Sequence, residues 1–331
     1  MKALAYTTAH GFDAPGLELL EVDEPSLRGT DLLVEIRAIG VNPGEALIRR
    51  TRSAAPGGRV ILGWEFAGIV TALGAEVTGF TIGDRVMGTG DLSRDGCWAE
   101  RLAVDHRVVT RIPEGLSFAD AASVPIGGLT AWEALFRERD QLPAGVDSVL
   151  VIGGAGGVGS FATQLLKART SSFVIATASR PESREWCLQM GADRVVDHGT
   201  DVLAQLGEVG IQRVDLVFST TGTEQNMGWI ARLLRPHGHL CVIDAAAPFD
   251  ASALVPKSAS LHTEMVFSKQ LDGADASSQG RILRDLTHLL LERRLRPITT
   301  ARLTGLTVDT LNRAQQMIET RRTVGKIVVD I

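Results

Sequence analysis

Residues 148–159 read SVLVIGGAGGVG, an apolar run followed directly by a turn rich in glycine. The run predicts a buried strand, and Gly154, Gly156 and Gly159 match the spacing G-x-G-x-x-G. Apolar side chains at helical spacing follow, at Val158, Phe161, Ala162 and Leu165. Between a strand and a helix, these glycines allow a tight turn, close approach of a pyrophosphate and close helix packing. The stretch predicts a dinucleotide site; the alternative is a structural turn without ligand.

The residues after this turn alternate between strand and helix patterns. Helices are predicted over 157–168 and 181–190, and Gly191 closes the second. Strands are predicted over 148–152, 173–177, 194–197, 214–219, 239–243 and 261–267. This alternation predicts a doubly wound α/β fold, in which helices cover both faces of a parallel sheet. A helix over 278–294 is predicted to complete the unit.

The preceding sequence has a different character. Up to about Arg111 it alternates short aliphatic runs with turn residues, including 32–36, 67–70 and 99–104, which predicts a β-rich domain. Residues 117–120 form a capping-box pattern, which predicts the start of a helix.

The C-terminal tail after Pro297 also has its own pattern. Residues 311–318 have apolar side chains at helical spacing, and 326–329 form a last apolar strand. We expect this tail to return to the first domain.

The end of the second predicted strand indicates which dinucleotide is bound. A site that selects NAD places a carboxylate there, which accepts hydrogen bonds from the adenosine ribose hydroxyls. In this chain residues 173–177 run into Ala178, Ser179, Arg180 and Pro181, so no carboxylate is present. A hydroxyl, a guanidinium and a new helix start can hold a 2′-phosphate, which favours NADPH. The alternative is that Ser179 and Arg180 only cap the helix.

Composition narrows the classes of function. The 331 residues carry a net charge of −5, without the basic stripe that nucleic-acid binding requires. Cys97, Cys187 and Cys241 lie far apart, which predicts buried reduced thiols rather than a metal knuckle or disulfides. No apolar stretch has the length of a signal peptide or a membrane span. We expect a cytoplasmic protein that binds neither nucleic acid nor membrane.

Several short motifs in a fixed order make the chain similar to one family. They are GVNP at 40–43, GWEFAG at 63–68, GDRV at 83–86, GLTAW at 128–132, the glycine turn and GKIV at 325–328. With them the chain resembles the medium-chain dehydrogenase/reductase superfamily, and within it the zinc-free, quinone-oxidoreductase-like members often labelled zinc-type alcohol dehydrogenase-like. The resemblance implies a GroES-like catalytic domain over 1–122 and 297–331. It also implies a Rossmann NADPH-binding domain over 123–296 and an active site in the cleft.

The metal ligands of zinc-dependent members are missing. Those members carry a cysteine shortly after the Gly-Val-Asn stretch, a histidine before the glutamate that corresponds to Glu65, and a lobe with four clustered cysteines. This chain has Gly44 and Trp64 at the first two places and lacks the cysteine cluster. Tryptophan cannot ligate a metal, so neither tetrahedral site can be assembled. We expect no metal.

The resemblance also implies which residues contact the cofactor. Asn42 and Thr130 match residues beside the nicotinamide ribose, and His198 takes the place of an aromatic near the adenosine phosphate. Thr220 and Ile243 end later strands, at the edge of the sheet where dinucleotides bind. For His198 the alternative is a simple turn residue. The glycine turn itself contributes Gly154, Ala155, Gly156, Gly157, Val158 and Gly159.

The proton donor of the reaction stays open at this stage. Related quinone reductases often have a tyrosine where this chain has Leu47, and Tyr6, the one tyrosine, is predicted on the first strand. Water, Asn42, Glu45 or a ribose hydroxyl are the alternatives. Glu45 is equally well interpreted as an exposed turn residue.

A second group of residues is expected to contact the substrate. Leu47 and Arg49 follow the Gly-Val-Asn motif, and Trp64 and Phe267 can line an apolar pocket. The alternatives are a surface ion pair for Arg49 and plain core packing for the two aromatic residues.

Without zinc, the expected substrates are those that accept a hydride readily. A quinone or a conjugated enone needs little electrophilic help to accept a hydride, whereas an unactivated alcohol needs a stabilised alkoxide. The leading hypothesis is an NADPH-dependent reductase of quinones or α,β-unsaturated carbonyls, with Asn42, Glu45 and Thr130 as catalytic residues. The alternatives are a zinc-free alcohol or aldehyde oxidoreductase and an NADPH-binding sensor or structural protein without turnover. By the same resemblance, a homodimer through strand 261–267 is expected.

Overall fold

Two units make up the chain, and the first is assembled from both ends of the sequence. The computed structural model describes residues 1–11, 14, 16–137, 140–244, 248–273, 275 and 277–331. Contacts group Met1–Ile126 with Phe267–Ile331 as unit 1, and Gly127–Val266 forms unit 2.

Strands and helices cover most of the described chain. The strands are β1 (Lys2–Tyr6), β2 (Glu18–Glu21), β3 (Asp31–Val41), β4 (Val60–Ile61), β5 (Glu65–Leu73), β6 (Arg85–Thr89), β7 (Arg101–Asp105), β8 (Val109–Arg111), β9 (Ser148–Ile152), β10 (Phe173–Thr177), β11 (Arg194–Val196), β12 (Val214–Ser219), β13 (Leu234–Val242), β14 (Ser260–Thr263), β15 (Thr299–Thr304) and β16 (Lys326–Asp330). The helices are α1 (Pro43–Thr51), α2 (Phe118–Ala121), α3 (Pro125–Leu135), α4 (Gly157–Arg169), α5 (Pro181–Gln189), α6 (Val202–Gly207), α7 (Thr223–Leu233), α8 (Ser268–Asp272), α9 (Ser277–Leu291) and α10 (Val308–Glu319). None of these helices is long and apolar enough to cross a membrane.

Unit 1 is rich in β-structure. The strand order of its larger sheet is β15-β16-β3-β5-β6-β8, with β7 also paired to β3, and β2-β1-β4 form a smaller sheet. Strand β16 runs antiparallel to β3, with Ile327 opposite Val41 and Val328 opposite Gly40. This register brings Lys326, the first residue of β16, beside Asn42, which directly follows β3.

Helix α1 begins with a capping box immediately after β3. Asn42 precedes the helix, Pro43 occupies its first position, and Glu45 Oε2 accepts a hydrogen bond from the Asn42 backbone N–H at 2.9 Å. The sequence analysis predicts no helix here. Glu45 is 1% exposed, so its interpretation as an exposed turn residue is wrong.

Unit 2 is a parallel sheet with helices between its strands. Within the described residues its strand order is β11-β10-β9-β12-β13-β14. Neighbouring strands are parallel throughout, so their carboxyl ends lie along one edge. The order reverses between β9 and β12, which is where dinucleotides bind in open sheets of this kind. The central strands are almost wholly apolar because both faces of the sheet are covered.

Several predicted elements match this sheet, and the last one does not. The predicted strands over 148–152, 173–177 and 214–219 have the bounds of β9, β10 and β12. Strand β14 ends at Thr263, however, and Phe267 is the residue before α8 in unit 1. The predicted strand over 261–267 is therefore too long, because the apolar residues 265–267 follow Glu264, after the point where pairing stops.

Helix α9 packs in unit 1. It lies against β8 and a short 3₁₀-helix, His106–Val108. Gly280 permits this approach, since a Cβ there would lie 2.4 Å from the backbone oxygen of Arg107. The unit boundaries thus lie at Ile126 and Phe267, whereas the sequence analysis places them at 122 and 297. An apolar stripe shows that a helix buries one face, and it does not show which domain covers that face.

Candidate functional site

The glycine turn of unit 2 joins β9 to α4. Gly154 and Gly159 are packing glycines: a Cβ on Gly154 would lie 2.7 Å from the Ala176 Cβ, and one on Gly159 would lie 2.3 Å from the Gly153 oxygen. Gly156 differs, because a Cβ there would meet only that same oxygen, at 3.5 Å. Gly156 therefore keeps an open space at the start of the helix.

The open side of the turn has the chemistry of an anion site. Gly156, Gly157 and Val158 are partly exposed, while Ala155 is 8% exposed. The first amides of a helix have no acceptor within the helix, and its amino end carries a partial positive charge. The turn thus fits a pyrophosphate, as the spacing of the glycines predicts.

Gly153 is a further residue of this turn, which the motif alone does not identify. Its φ of +76° lies in the left-handed region, and a Cβ there would lie 2.4 Å from Thr220 Oγ1. Thr220 Oγ1 donates to the Ile152 oxygen at 2.7 Å, which closes the end of β12 against the end of β9. A glycine immediately before G-x-G-x-x-G is the signal that could have identified it.

The expected adenosine side of the site lies at the ends of β10 and β11. Ser179 is exposed, and His198 is exposed in the turn that follows β11. That turn lies beside Ser179, because a Cβ on Gly199 would lie 3.9 Å from the Ser179 Cβ. These side chains form a small polar surface at the carboxyl edge of the sheet.

Two arginines accompany this surface, and one of them was not predicted. Arg180 Nε forms an ion pair with Glu182 Oε1 at 3.1 Å. Arg184, one helical turn later, donates to the backbone oxygens of Ala178 and Val195, at 3.3 Å each. Arg184 thus brings a second guanidinium to the ends of β10 and β11. A basic residue four positions after Arg180 on the same helix face is the sequence signal for it.

Ile243 and Thr130 are the remaining predicted site residues of unit 2, and they differ in location and exposure. Ile243 is partly exposed after β13, and its N–H donates to the Ser219 oxygen at 3.2 Å. Thr130 lies on α3 and is 6% exposed. Ile243 and Thr220 therefore share the carboxyl edge of the sheet with the glycine turn.

A buried polar cluster lies in unit 1, at the junction of β3, α1, β5 and β16. Glu65 Oε2 accepts from Lys326 Nζ at 2.5 Å and from Asn42 Nδ2 at 3.0 Å. Lys326 Nζ also donates to Asn42 Oδ1 at 2.6 Å. The other carboxylate oxygen, Glu65 Oε1, accepts from the Ile126 N–H at 2.8 Å. Glu65 and Lys326 are 0% and 5% exposed, so the ion pair is buried.

Glu45 adjoins this cluster and is expected to hold a proton near neutral pH. Burial raises the pKa of its carboxyl from 4.5 to about 7, and the charge of Glu65 adds to the rise. The Asn42 backbone N–H and the Lys326 ammonium act in the opposite direction. Burial is the largest of these effects, so the protonated form of Glu45 is favoured relative to a carboxyl group in water.

Lys326 is another functional candidate that the sequence alone did not identify. The GKIV motif marked the position, but a motif at the end of a chain does not indicate its partner in space. The pairing of β16 with β3 supplies that partner. The signal in the sequence was a lysine before an otherwise apolar strand.

The predicted substrate residues divide into exposed and buried groups. Leu47 is 43% exposed on α1. Arg49 is 1% exposed, donates from Nε to the His10 oxygen at 3.3 Å and pairs with Glu319 through Nη2. Trp64 is 2% exposed and meets Phe267 edge to face, with ring centroids 6.5 Å apart. Arg49 therefore serves an ion pair inside unit 1, and Trp64 is part of the core.

Two protein-family models and several known proteins match this chain. Residues 28–114 match the model of the alcohol dehydrogenase GroES-like domain, and residues 157–275 match that of zinc-binding dehydrogenases. The chain is 36% identical over 321 residues to a zinc-type alcohol dehydrogenase-like protein of Staphylococcus aureus, with 95% of each chain covered.

The chain belongs to the medium-chain dehydrogenase/reductase superfamily. The predicted fold class, a GroES-like domain with a Rossmann domain, is confirmed.

Further similarities extend over nearly the whole chain. A putative zinc-dependent alcohol dehydrogenase from Rhizobium etli is 38% identical with a TM-score of 0.96, covering 100% of this chain and 98% of the other. A mycobacterial protein in complex with NADPH is 26% identical with a TM-score of 0.84, covering 100% of both chains. A 2-methylene-furan-3-one reductase of Solanum lycopersicum is 27% identical over 342 residues, 99% of this chain and 79% of its own. The family is one of oxidoreductases that use a nicotinamide cofactor and act on small molecules.

Zinc does not fit the residues present. Among the described residues, no three His, Cys, Asp or Glu side chains lie close enough together to hold a metal. Trp64 donates its indole N–H to the Asp91 oxygen at 3.1 Å. Burial raises the pKa of the nearby Cys97 thiol well above its ordinary value, whereas a metal binds the thiolate. These residues therefore do not form a zinc site.

Proposed function

We propose that the protein is an NADPH-dependent oxidoreductase that transfers hydride to a quinone or an α,β-unsaturated carbonyl without zinc. The observation that carries the proposal is the polar cluster of Asn42, Glu65 and Lys326 with the buried Glu45 beside it. The pKa of the Glu45 carboxyl is raised to about 7, so this group is suited to donate a proton near neutral pH, which serves reduction without a metal.

The choice of NADPH rests on the ends of β10 and β11. Ser179, Arg180 and His198 offer a hydroxyl, a guanidinium and an imidazole, and the ribose-binding carboxylate of an NAD site is missing from the end of β10. A 2′-phosphate is bound by such donors, whereas a bare ribose needs the carboxylate. The mycobacterial relative, which binds NADPH, supports the same choice.

The residues that would hold the cofactor are those of the glycine turn together with the strand ends. They are Gly154–Gly159, Ser179, Arg180, His198, Thr220 and Ile243, with Asn42 and Thr130 on the nicotinamide ribose. NADPH supplies one hydride when bound. Glu45, in its protonated form, supplies the proton that completes reduction of one double bond, and Asn42 orients it through the backbone N–H that Glu45 Oε2 accepts.

The acceptor class rests on the residues at the zinc-ligand positions of the family. Gly44 and Trp64 offer no metal ligand there, so an acceptor that is already electron-poor suits the site best. The tomato relative, named as a reductase of a methylene-furanone, is an enone reductase and supports this class. A homodimer through β14, the outer strand of the sheet in unit 2, is part of the same proposal.

A substrate panel tests the proposal. NADPH oxidation is followed with quinones, conjugated enones, simple aldehydes and, in reverse with NADP⁺, simple alcohols. We expect turnover with quinones or enones, and a tenfold or greater loss of kcat in Glu45→Gln. Binding of NADPH with turnover of a simple aldehyde alone would contradict the acceptor class. Tight NADPH binding without any turnover would instead favour a sensor or structural role.

A further inference from the structure

The buried Lys326–Glu65 ion pair encloses the side chain of Asn42. Both ends of the Asn42 carboxamide are bound: Oδ1 accepts from the Lys326 ammonium at 2.6 Å, and Nδ2 donates to the Glu65 carboxylate at 3.0 Å. Nδ2 is also 3.4 Å from the Gly40 oxygen. A rotation of the amide by half a turn would place its oxygen against a carboxylate and its NH₂ group against an ammonium. The two charges therefore determine the orientation of the amide.

The pair is itself held firmly. Glu65 Oε1 is bound by the Ile126 N–H, and Lys326 is placed by the pairing of β16 with β3. A Cβ on Gly40 would lie 2.3 Å from the Ala122 oxygen and 2.5 Å from Glu65 Oε2, so the backbone fits tightly around the carboxylate. These contacts hold the two charged groups in place beside Asn42.

We infer that Lys326 and Glu65 act as one pair of positioning residues, which holds the Asn42 carboxamide in a single orientation. The two charges of the pair act on the neighbouring Glu45 carboxyl in opposite directions. The inference rests on the proposed function, in which Asn42 and Glu45 handle the proton. It assigns a role to a lysine and a glutamate that do not themselves donate to the substrate.

The charges around Glu45 determine the direction in which each substitution should shift its titration midpoint. Besides burial, the groups that act on its carboxyl are the backbone N–H groups of Asn42 and Trp64, the Lys326 ammonium from β16 and the Glu65 carboxylate from β5. The Cys97 thiol is also nearby and stays protonated, because burial raises its pKa. The ammonium favours the ionised form of Glu45, and the Glu65 carboxylate disfavours it. Removing one charge should thus shift the titration of Glu45 one way, and removing the other should shift it the opposite way.

Infrared titration of the carboxyl band in the full-length protein without ligand tests this sign directly. In the wild type we expect one buried carboxyl group that titrates near pH 7, and Glu45→Gln identifies it by deleting its band. Lys326→Met should move the midpoint upward, and Glu65→Gln should move it downward. Arg94→Met is the control, because it removes the cation that pairs with another buried carboxylate, Asp31 at 2.7 Å, and should leave the midpoint unchanged.

A double variant is needed because Lys326→Met by itself can fail to fold. Lys326→Met leaves the Glu65 charge buried without its cation, which destabilises proteins strongly. Lys326→Met with Glu65→Gln removes both charges, and its midpoint should lie above that of Glu65→Gln alone. Circular dichroism establishes that each variant is folded. Shifts of the same sign in the two single variants, or no shift in folded variants, would overturn the inference.

The positioning of Asn42 has its own test, a double-mutant cycle. Lys326→Met should lower kcat/KM about tenfold or more in the wild-type background and about threefold or less in an Asn42→Ala background, because the lysine acts through the amide. Equal losses in both backgrounds would contradict this role. If the midpoints shift as expected while no quinone or enone is reduced, the proposed function fails and the electrostatic role of the pair stands.

Discussion

Arg180 and Arg184 are the residues through which the protein is expected to distinguish NADPH from NADH. Arg180 is paired with Glu182, and Arg184 is held by two backbone oxygens at the ends of β10 and β11. Charge-assisted hydrogen bonds to a phosphate contribute about 1.5–3 kcal/mol each. We expect Arg180→Ala and Arg184→Ala each to weaken NADPH binding about tenfold or more, and NADH binding about twofold or less. Calorimetric titration with both nucleotides measures this.

Two further variants serve as controls for that prediction. Glu182→Gln removes a negative charge beside the guanidinium of Arg180 and should strengthen NADPH binding, with NADH unaffected. Arg194→Ala removes an exposed arginine at the amino end of β11, which pairs with Ile175 in the middle of β10, and should change neither affinity. Equal weakening of both nucleotides by the Arg180 and Arg184 variants would remove the assignment of a 2′-phosphate site.

Glu45 should make the stability of the protein depend on pH. Its pKa is raised from 4.5 to about 7 in the folded chain, so the folded form holds a proton that the unfolded form releases. The free energy of unfolding is then highest below pH 4.5 and falls as the pH rises through 7, by about 3 kcal/mol from this group. Glu45→Gln should remove this slope and be the more stable protein at pH 8. Urea unfolding from pH 5 to 8 measures it.

A carboxylate with the opposite shift provides the control. The pKa of Asp84 is lowered by the Thr81 and Arg111 groups that bind it, so its contribution is lost only on acidification. Asp84→Asn should leave the slope between pH 5 and 8 unchanged. An equally steep slope in Glu45→Gln would show that another group is responsible.

In the turn between β9 and α4, one glycine is expected to serve NADPH binding and another to serve packing. Gly156→Ala adds a Cβ to open space, so we expect an unchanged melting temperature and about tenfold weaker NADPH binding. Gly159→Ala forces a Cβ against the Gly153 oxygen, so we expect about 1–3 kcal/mol lower stability. Thermal melts and calorimetry on both variants measure the two effects.

A substitution at a third glycine serves as the control for these two variants. Gly228 lies inside α7, is exposed, and has nothing within 4 Å of an added Cβ. Gly228→Ala should stabilise the protein by up to about 1 kcal/mol and leave binding unchanged, since alanine is the better helix former. If Gly156→Ala binds NADPH as the wild type does, the pyrophosphate does not occupy this turn.

At the scale of the whole molecule, the nicotinamide cofactor is expected to stabilise the protein, and a chelator is expected to have no effect. Because NADPH would bind only the folded chain, a concentration about a hundredfold above its Kd should add about 2.7 kcal/mol of stability. Thermal melts with NADPH, NADH and a strong chelator, together with metal analysis of the purified protein, measure both expectations. One tightly bound zinc per chain would contradict the metal-free proposal.

The alternation of strands and helices after residue 148 was sufficient to predict the parallel sheet of unit 2. Strands β9, β10 and β12 have the predicted bounds because central strands bury both faces and are therefore almost wholly apolar. The glycine turn was equally predictable, since its spacing and its position between strand and helix are both local. Helix α1 was not predicted, because its capping residues resemble a loop when their spatial neighbours are unknown.

What the sequence determined by itself is local: the glycine turn, the alternation around it, the missing zinc ligands and the missing carboxylate after β10. What the tertiary structure decided is which distant residues meet. Lys326 reaches Asn42 and Glu65 only because β16 pairs with β3, and Arg49 is buried only because Glu319 lies against it. Glu45 acquires a raised pKa for the same reason, since burial and neighbouring charges come from other segments. The spacing of apolar residues shows which face a segment buries. The ion pairs of Lys326 and Arg49, in contrast, depend on partners that lie hundreds of residues away in the sequence.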